Sequence, residues 1–229
     1  MSDLSTDATV ITIDGSSASG KGTLAQNIAV KLNWRILDSG AIYRVIGLVA
    51  ERYDLVNQEL SLIKKLRTIK IQFLNQGCLI NDEDVSRKIR TEDVGKLASR
   101  VAAFPNLRSE IVDLQRSFRK APGLVADGRD MGTVVFPDAE VKFFLKASAE
   151  ARAQRRYNEL KKRGFDVRLP VLLEEILDRD TRDSARSAAP LRPADDSILI
   201  DSSQLSALEV AEVALNTLEK KGIFRKKSF

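Results

Sequence analysis

The sequence predicts an α/β protein, a parallel sheet covered by helices on both faces. Three observations carry that expectation. Short apolar strands alternate with amphipathic helical stretches almost throughout the chain. Charged and small residues gather at the C-terminal ends of several predicted strands, where open parallel sheets hold ligands. The stretch from Val10 to Thr23, VITIDGSSASGKGT, reads as strand, glycine loop and helix start in direct succession. The 229 residues, 43% hydrophobic and 30% charged, match an ordinary globular composition. No apolar stretch approaches the ~18 residues of a membrane span. The N-terminus MSDLSTDATV lacks the basic start and apolar centre of a signal peptide. With a single cysteine, Cys78, no internal disulfide can form, and a cytoplasmic location is expected. There is no histidine, which excludes imidazole metal sites and catalysis by a histidine base. Carboxylates, lysine and arginines are left to do the chemistry, with Mg²⁺ as the natural electrophile. The net charge of +5 points to anionic partners.

In the opening element, Val10, Ile11 and Ile13 form the strand, and Gly15 and Gly20 free the backbone to curl around an anion. Lys21 reaches for outer phosphates, and Leu24, Ala25, Ile28, Ala29 and Leu32 stripe the following helix. Against the general pattern G-x-x-x-x-G-K-S/T, Gly22 follows the lysine and the hydroxyl comes one place late, at Thr23. The loop is expected to bind a nucleoside triphosphate. Arg35 to Leu37 makes a second strand ending in Asp38-Ser39-Gly40, and Ile42, Val45, Ile46 and Val49 mark a helix. Arg44 lies in that helix's first turn, where a cation opposes the helix dipole unless an anion is present. Leu62, Ile63 and Leu66 suggest a further helix. Ile69, Ile71 and Phe73, the turn signal Asn75-Gln76-Gly77, and Cys78 to Ile80 then suggest a small antiparallel insert over 69–85. Cys78 reads as a packing residue.

Thr91, followed by Glu92 and Asp93, is expected to cap a helix running to about Ala102. Phe104-Pro105-Asn106 breaks it, and Leu107, Ile111, Leu114 and Phe118 stripe the next. Gly123 to Asp127 is a buried strand ending in Asp127-Gly128-Arg129-Asp130, and Val141 to Leu145 is another. A helix opening at Ser148 carries Arg155 and Arg156, and Gly164 interrupts it within a cation-rich connection. From Leu172 to about Ala185 a helix presents Arg179, Arg182, Asp183 and Arg186 on one face. Ser197 to Ile200 is the last strand, Ser206 to Lys221 the closing helix, and FRKKSF a basic tail.

Phosphoryl transfer asks little covalent help of a protein. It needs two phosphate-bearing substrates in line and cations on the oxygens that accumulate charge. Arginine suits that task because its planar fork binds phosphate bidentately. Arg182 and Arg186, four apart, repel mildly unless an anion lies between them. A protein that binds ATP and nucleic acid without transferring phosphate is the alternative of a different class. Against it, Trp34 and the three tyrosines are scattered and build no stacking platform.

The strings GSSASGKGT, LDSGAIYR, IRTEDV, RVAAFPNLR, ADGRDMGTVVFPDA and RDTRDSARSAAPL stand in this order and spacing. Together they resemble the bacterial cytidylate kinase family, over roughly Val10 to Asp201. The Gly22-Thr23 ending is similar to the GKGT of nucleoside-monophosphate kinases. The resemblance implies a P-loop kinase core over about 8–40, 105–150 and 190–229. It also implies a monophosphate-binding region over about 41–104 that carries the insert, and a short lid over about 155–168. The implied activity is transfer of the γ-phosphoryl of ATP to CMP or dCMP, with Mg²⁺, by a monomer that binds neither nucleic acid nor membrane. Kinases for UMP, AMP or dephospho-coenzyme A remain the alternatives.

By the same resemblance, Gly15, Ser16, Ser17, Ala18, Ser19, Gly20, Lys21, Gly22 and Thr23 bind the ATP phosphates. Arg156 and Arg163 close over ATP. Ser39, Arg44, Ser99, Arg108, Arg129 and Asp130 line the monophosphate site, with Arg44 and Arg129 on its phosphate and Ser99 and Asp130 toward the cytosine. Arg179, Asp183 and Arg186 meet the acceptor nucleotide, Asp183 on the sugar hydroxyls. Lys21, Arg129, Arg179 and Arg186 assist transfer. Thr23, and Asp127 through a bound water, attend the Mg²⁺.

Overall fold

A computed structural model describes residues 8–74, 77–162, 164–186 and 188–224. The expected turn at Asn75-Gln76, the lid residue Arg163 and nearly all of the basic tail lie outside them. In chain order the elements are β1 (Val10–Gly15), α1 (Lys21–Leu32), β2 (Arg35–Asp38), α2 (Ser39–Arg52) and α3 (Glu59–Leu66). Then come β3 (Ile71–Leu74), β4 (Gly77–Ile80), β5 (Glu83–Asp84), α4 (Glu92–Val101), α5 (Pro105–Arg116) and β6 (Leu124–Gly128). The chain closes with β7 (Val141–Lys146), α6 (Ala149–Lys162), α7 (Leu169–Ser184), β8 (Ile198–Asp201) and α8 (Ala207–Lys220).

Five strands form one sheet in the order β2-β6-β1-β7-β8, with β1 parallel to β6 and β7, and β7 parallel to β8. This is the α/β architecture the sequence predicts. β1 is central and all six of its residues are buried. Its alternation has a consequence for function. Ile11 and Ile13 join the apolar cluster made with Leu24 and Ile28 of α1, Phe143 and Leu145 of β7, and Ala214 and Leu218 of α8. Thr12 and Asp14 face the other way, because successive strand side chains point to opposite faces. There a π-helical turn, Met131–Val135, comes so close that a Cβ on Gly132 would lie 2.9 Å from Thr12 Oγ1. Ser206 and Glu209 close a capping box at the start of α8, each side chain bonded to the other's backbone N–H.

The chain divides into two compact units. One comprises 1–37, 116–185 and 189–229, and holds most of the five-stranded sheet. The other comprises Asp38–Gln115 with 186–188. Within it α5 is tied to α3, since the Glu59 carboxylate accepts from the N–H groups of Asn106 and Leu107. The insert is a three-stranded antiparallel sheet, β3-β4-β5, with Cys78 buried in its middle strand.

Three local expectations change. Thr91 occupies the N-cap position of α4, yet its hydroxyl donates to the Lys88 carbonyl and caps nothing. Helix α7 starts earlier than expected, at Leu169, with Pro170 in its first turn, where a missing N–H costs no helical bond. It ends at Ser184, so Arg186 lies beyond the helix and does not share a helical face with Arg179.

Among the described residues no helix is long and apolar enough to cross a membrane. Within the second unit, α2 and α4 approach closely at Gly47, where an added Cβ would sit 2.8 Å from the Ala98 backbone nitrogen. Helix propensity alone favours alanine there by about 1 kcal/mol, but a backbone neighbour cannot swing aside as a side chain can. Gly47→Ala is therefore expected to destabilise the protein by about 1–3 kcal/mol net, read as a lowered denaturant midpoint.

Candidate active site

The glycine loop follows β1 with two constrained positions. Gly15 has φ of 146°, and a Cβ on it would fall 2.2 Å from the Leu145 carbonyl oxygen. Gly20, at φ 98°, is the N-cap of α1 and brings no side-chain cap to that helix's first N–H groups. These are the donors that a helix N-terminus turns toward a phosphate. Lys21 is 6% exposed, and its ammonium donates to the Ser16 carbonyl at 2.6 Å, folding back over the loop. Ser19 is buried and its hydroxyl also donates to Ser16.

Burial pushes the Lys21 ammonium down to about 7, Arg129 and Arg179 push the same way, and Asp127 and Asp14 oppose them. Position 22 faces an acid: a Cβ on Gly22 would stand 3.4 Å from Asp127 Oδ2. Thr23 is exposed beside it.

The segment after β6 carries Arg129 and Asp130, both expected from the sequence. Asp130 is 3% exposed. Arg129 donates through Nε to the carboxylate of Asp183, which is 0% exposed, at 3.0 Å. Asp183 therefore points inward from α7, while Arg182 on the same helix is exposed and turns back to the Asp178 carbonyl. Asp14 is itself buried and takes the N–H groups of Met131 and Gly132 on its two carboxylate oxygens, at 2.9 and 2.8 Å. Burial raises its pKa to about 7 against those two bonds, with Asp130 and Asp127 adding to the rise.

Helix α6 contributes residues that the sequence did not single out. Arg152, 3% exposed, forms a bidentate pair with Asp180 of α7 and donates to the Ser17 carbonyl of the loop at 3.3 Å. Arg155 donates to Ser202 Oγ at 3.1 Å and to the Ser202 carbonyl, and Ser202 Oγ donates in turn to the Ser19 carbonyl at 3.0 Å. Arg155, Ser202 and Leu205 line a cavity of about 300 Å³ that opens beside Gly20 and Thr23. Arg156, expected at the lid, pairs with Glu159 one turn along its own helix. In the string ARAQRR the three arginines look alike. Only the course of the helix decides which two meet the loop.

In the second unit, Asp38 caps α2 by accepting from the Ala41 N–H at 2.9 Å, and it pairs with Arg90. Arg44 donates to the carbonyls of Ile89 and Thr91 at 2.8 and 2.9 Å, and its guanidinium lies against Gly95, where a Cβ would come within 2.9 Å of Nη2. Helix α2 starts at Ser39, so Arg44 stands in its second turn and not, as expected, in its first, and the conflict with the helix dipole is weak there. Ser39 is buried and accepts from Gln115 at 2.9 Å. Arg108 is 6% exposed, donates to the Ala102 carbonyl at 3.0 Å and lies over the Tyr43 ring. Ser99 is buried and its hydroxyl has no hydrogen-bond partner among the described residues. Arg186 is half-buried.

Asp14 and Lys21 give opposite pH slopes to the unliganded protein. The stability contributed at Asp14 is fully present below about 3.8 and is lost as pH rises through about 7. The penalty at Lys21 is fully present below about 7 and is relieved as pH rises toward 10.5. Thermal melts from about pH 4.5 to 9.5 should pass through a shallow minimum near neutrality. Asp14→Asn should flatten its acid side.

The family model described as cytidylate kinase matches residues 11–220. Cytidylate kinase of Aeromonas hydrophila subsp. hydrophila is 52% identical over 218 residues, covering 93% of this chain and 95% of its own. That of Shewanella sp. (strain MR-4) is 49% identical over 225 residues, covering 95% and 98%. That of Yersinia pestis (strain Pestoides F) is 51% identical over 213 residues, covering 91% and 93%. With a match over nearly the whole chain and relatives at half identity, the chain belongs to the cytidylate kinase family.

Proposed function

We propose that Lys21, Arg129 and Arg179 act together on the phosphoryl group that this kinase moves from ATP to CMP or dCMP. The crowding of cations at the loop carries the reading. Arg129 and Arg179 lie close enough to depress a buried Lys21, against Asp127 and Asp14, and a bound polyanion would be met by all three cations. In the reaction an oxygen of the acceptor monophosphate attacks the γ-phosphorus, and the bond to the bridging oxygen of the β-phosphate breaks. ADP leaves, and the new diphosphate keeps the transferred group. Charge spreads over the oxygens in flight, where fixed cations stabilise it without reorganising.

Gly15 to Thr23 hold the donor phosphates through backbone N–H groups, and the cavity beside Gly20, Ser202 and Leu205 takes the donor base. Ser39, Arg44, Ser99, Arg108, Asp130, Asp183 and Arg186 serve the acceptor nucleotide, with Arg44 and Arg129 on its phosphate. The buried hydroxyl of Ser99, without a hydrogen-bond partner among the described residues, supports a ligand contact, since such groups are normally satisfied. Mg²⁺ fits the donors present. Asp127 and Thr23 offer hard oxygen ligands beside the loop, and Mg²⁺ commonly takes one or two protein ligands and completes its shell from phosphates and water. When bound, the ion would be held by Asp127 and Thr23 and would supply positive charge to the donor's phosphate oxygens. Arg156 remains the lid residue proposed to close over ATP.

A coupled ADP-release assay with ATP·Mg²⁺ and a panel of CMP, dCMP, UMP, AMP and GMP tests the reading. CMP and dCMP should turn over best; a preference for AMP, or equal rates across the panel, would overturn it. Lys21→Ala should lower kcat by about 10²–10³-fold. Arg44→Ala should raise the KM for CMP by about tenfold and leave kcat within about twofold. An unchanged KM would remove Arg44 from the phosphate site.

A further inference from the structure

We propose that Asp14 is a positioning residue for the acceptor side of the reaction: its carboxylate holds in place the short arc that presents Arg129 and Asp130. The proposal rests on the assignment of those two residues to the acceptor.

The arc is fixed at both ends to one residue. At its start, Gly128 is the register partner of Asp14 in the parallel β1–β6 ladder. At its end, Met131 donates its N–H to Asp14 Oδ1, and Gly132 donates to Oδ2. Only Arg129 and Asp130 lie between Gly128 and Met131. The path is also closed to adjustment. A Cβ on Gly128 would strike Met131 Cγ at 2.7 Å, and one on Gly132 would strike Thr12 Oγ1 at 2.9 Å. Beyond the arc the chain winds into the π-helical turn, with Val134 and Val135 both donating to the Asp130 carbonyl. Single π turns of this kind recur at functional sites. Arg129 then extends from the arc to Asp183.

A carboxylate is an expensive choice for this place. Asp14 is 4% exposed and is bonded only to two backbone N–H groups, with no ion pair among the described residues. Around it, Asp127 of β6 and Asp130 of the arc oppose its charge, and Lys21 of α1 is the cation within range. What a carboxylate provides is two acceptor oxygens in a fixed fork, which meet two successive N–H groups at once. An asparagine of the same shape offers one acceptor and turns a donor toward the other N–H, leaving a buried amide unmet. Asp14 also immediately precedes Gly15. The next-to-last residue of β1, one position before the donor loop opens at Gly15, therefore grips the segment assigned to the acceptor.

Steady-state kinetics on Asp14→Asn, Gly132→Ala and Arg129→Ala separate this role from a merely structural one. Gly132→Ala displaces the arc from Thr12 while keeping the Asp14 charge, so it serves if Asp14→Asn does not fold. Both variants should raise the KM for CMP by about tenfold while the KM for ATP stays within about twofold. A structural role alone would lower the melting temperature and the yield, leaving both KM values of the folded fraction unchanged; that result would overturn the proposal. If Arg129→Ala raises the KM for CMP and neither of the other two does, Asp14 has no positioning role although the acceptor assignment stands. If Arg129→Ala leaves that KM unchanged, the acceptor assignment fails and the proposal falls with it.

Discussion

The burial of Lys21 is the constraint on which the first unit is organised. An ammonium at 6% exposure, with two guanidinium groups depressing it, has the Ser16 carbonyl as its bonded partner. Such a charge is tolerable only if the surroundings are rigid and oriented dipoles face it. The unit meets that demand from several directions. Gly15 lets the loop leave β1 against the Leu145 carbonyl. The Asp127 carboxylate stands over Gly22. Arg152 and Ser202 hold the loop's own carbonyls at Ser17 and Ser19. In the proposed reading a polyphosphate bound beside Lys21 would add to the negative charge with which Asp127 and Asp14 already oppose Arg129 and Arg179.

Much of this was legible in the sequence, and what was missed follows a physical pattern. Local and periodic features read well. The loop, the parallel core, the antiparallel insert and the strand ends carrying Asp38 and Asp127 all follow from glycine placement, alternation and turn residues within a few positions of one another. Networks that join distant segments did not read. Arg152 meets Asp180 across 28 positions and Ser17 across 135, and nothing in ARAQRR distinguishes it from Arg156. Asp14 stood in plain view as a strand residue beside the loop, but its partners are backbone groups at 131 and 132, which no side-chain pattern announces. Arg186 misled for the opposite reason. Helical spacing placed it on one face with Arg179, whereas the helix stops at Ser184.

The second unit treats its arginines differently. Arg44 and Arg108 each donate to main-chain carbonyls within the unit, and Arg108 also lies over Tyr43. These bonds hold the guanidinium planes in fixed orientations, which lowers the entropy lost when a ligand arrives. Arg44 was expected in a helix's first turn, but α2 starts at Ser39 and places it in the second, where the dipole conflict read from the sequence fades.

Cys78 gives the insert a property of its own. It is the sole thiol in the chain, lies in the middle strand of the small sheet at 1% exposure, and burial pushes its pKa up. Alkylation requires an exposed thiolate, so a reagent can reach it only when that sheet opens. The rate at which the native protein consumes one equivalent of a thiol reagent is thus a clock for local breathing of the insert, set apart from global unfolding and free of interference from any second cysteine.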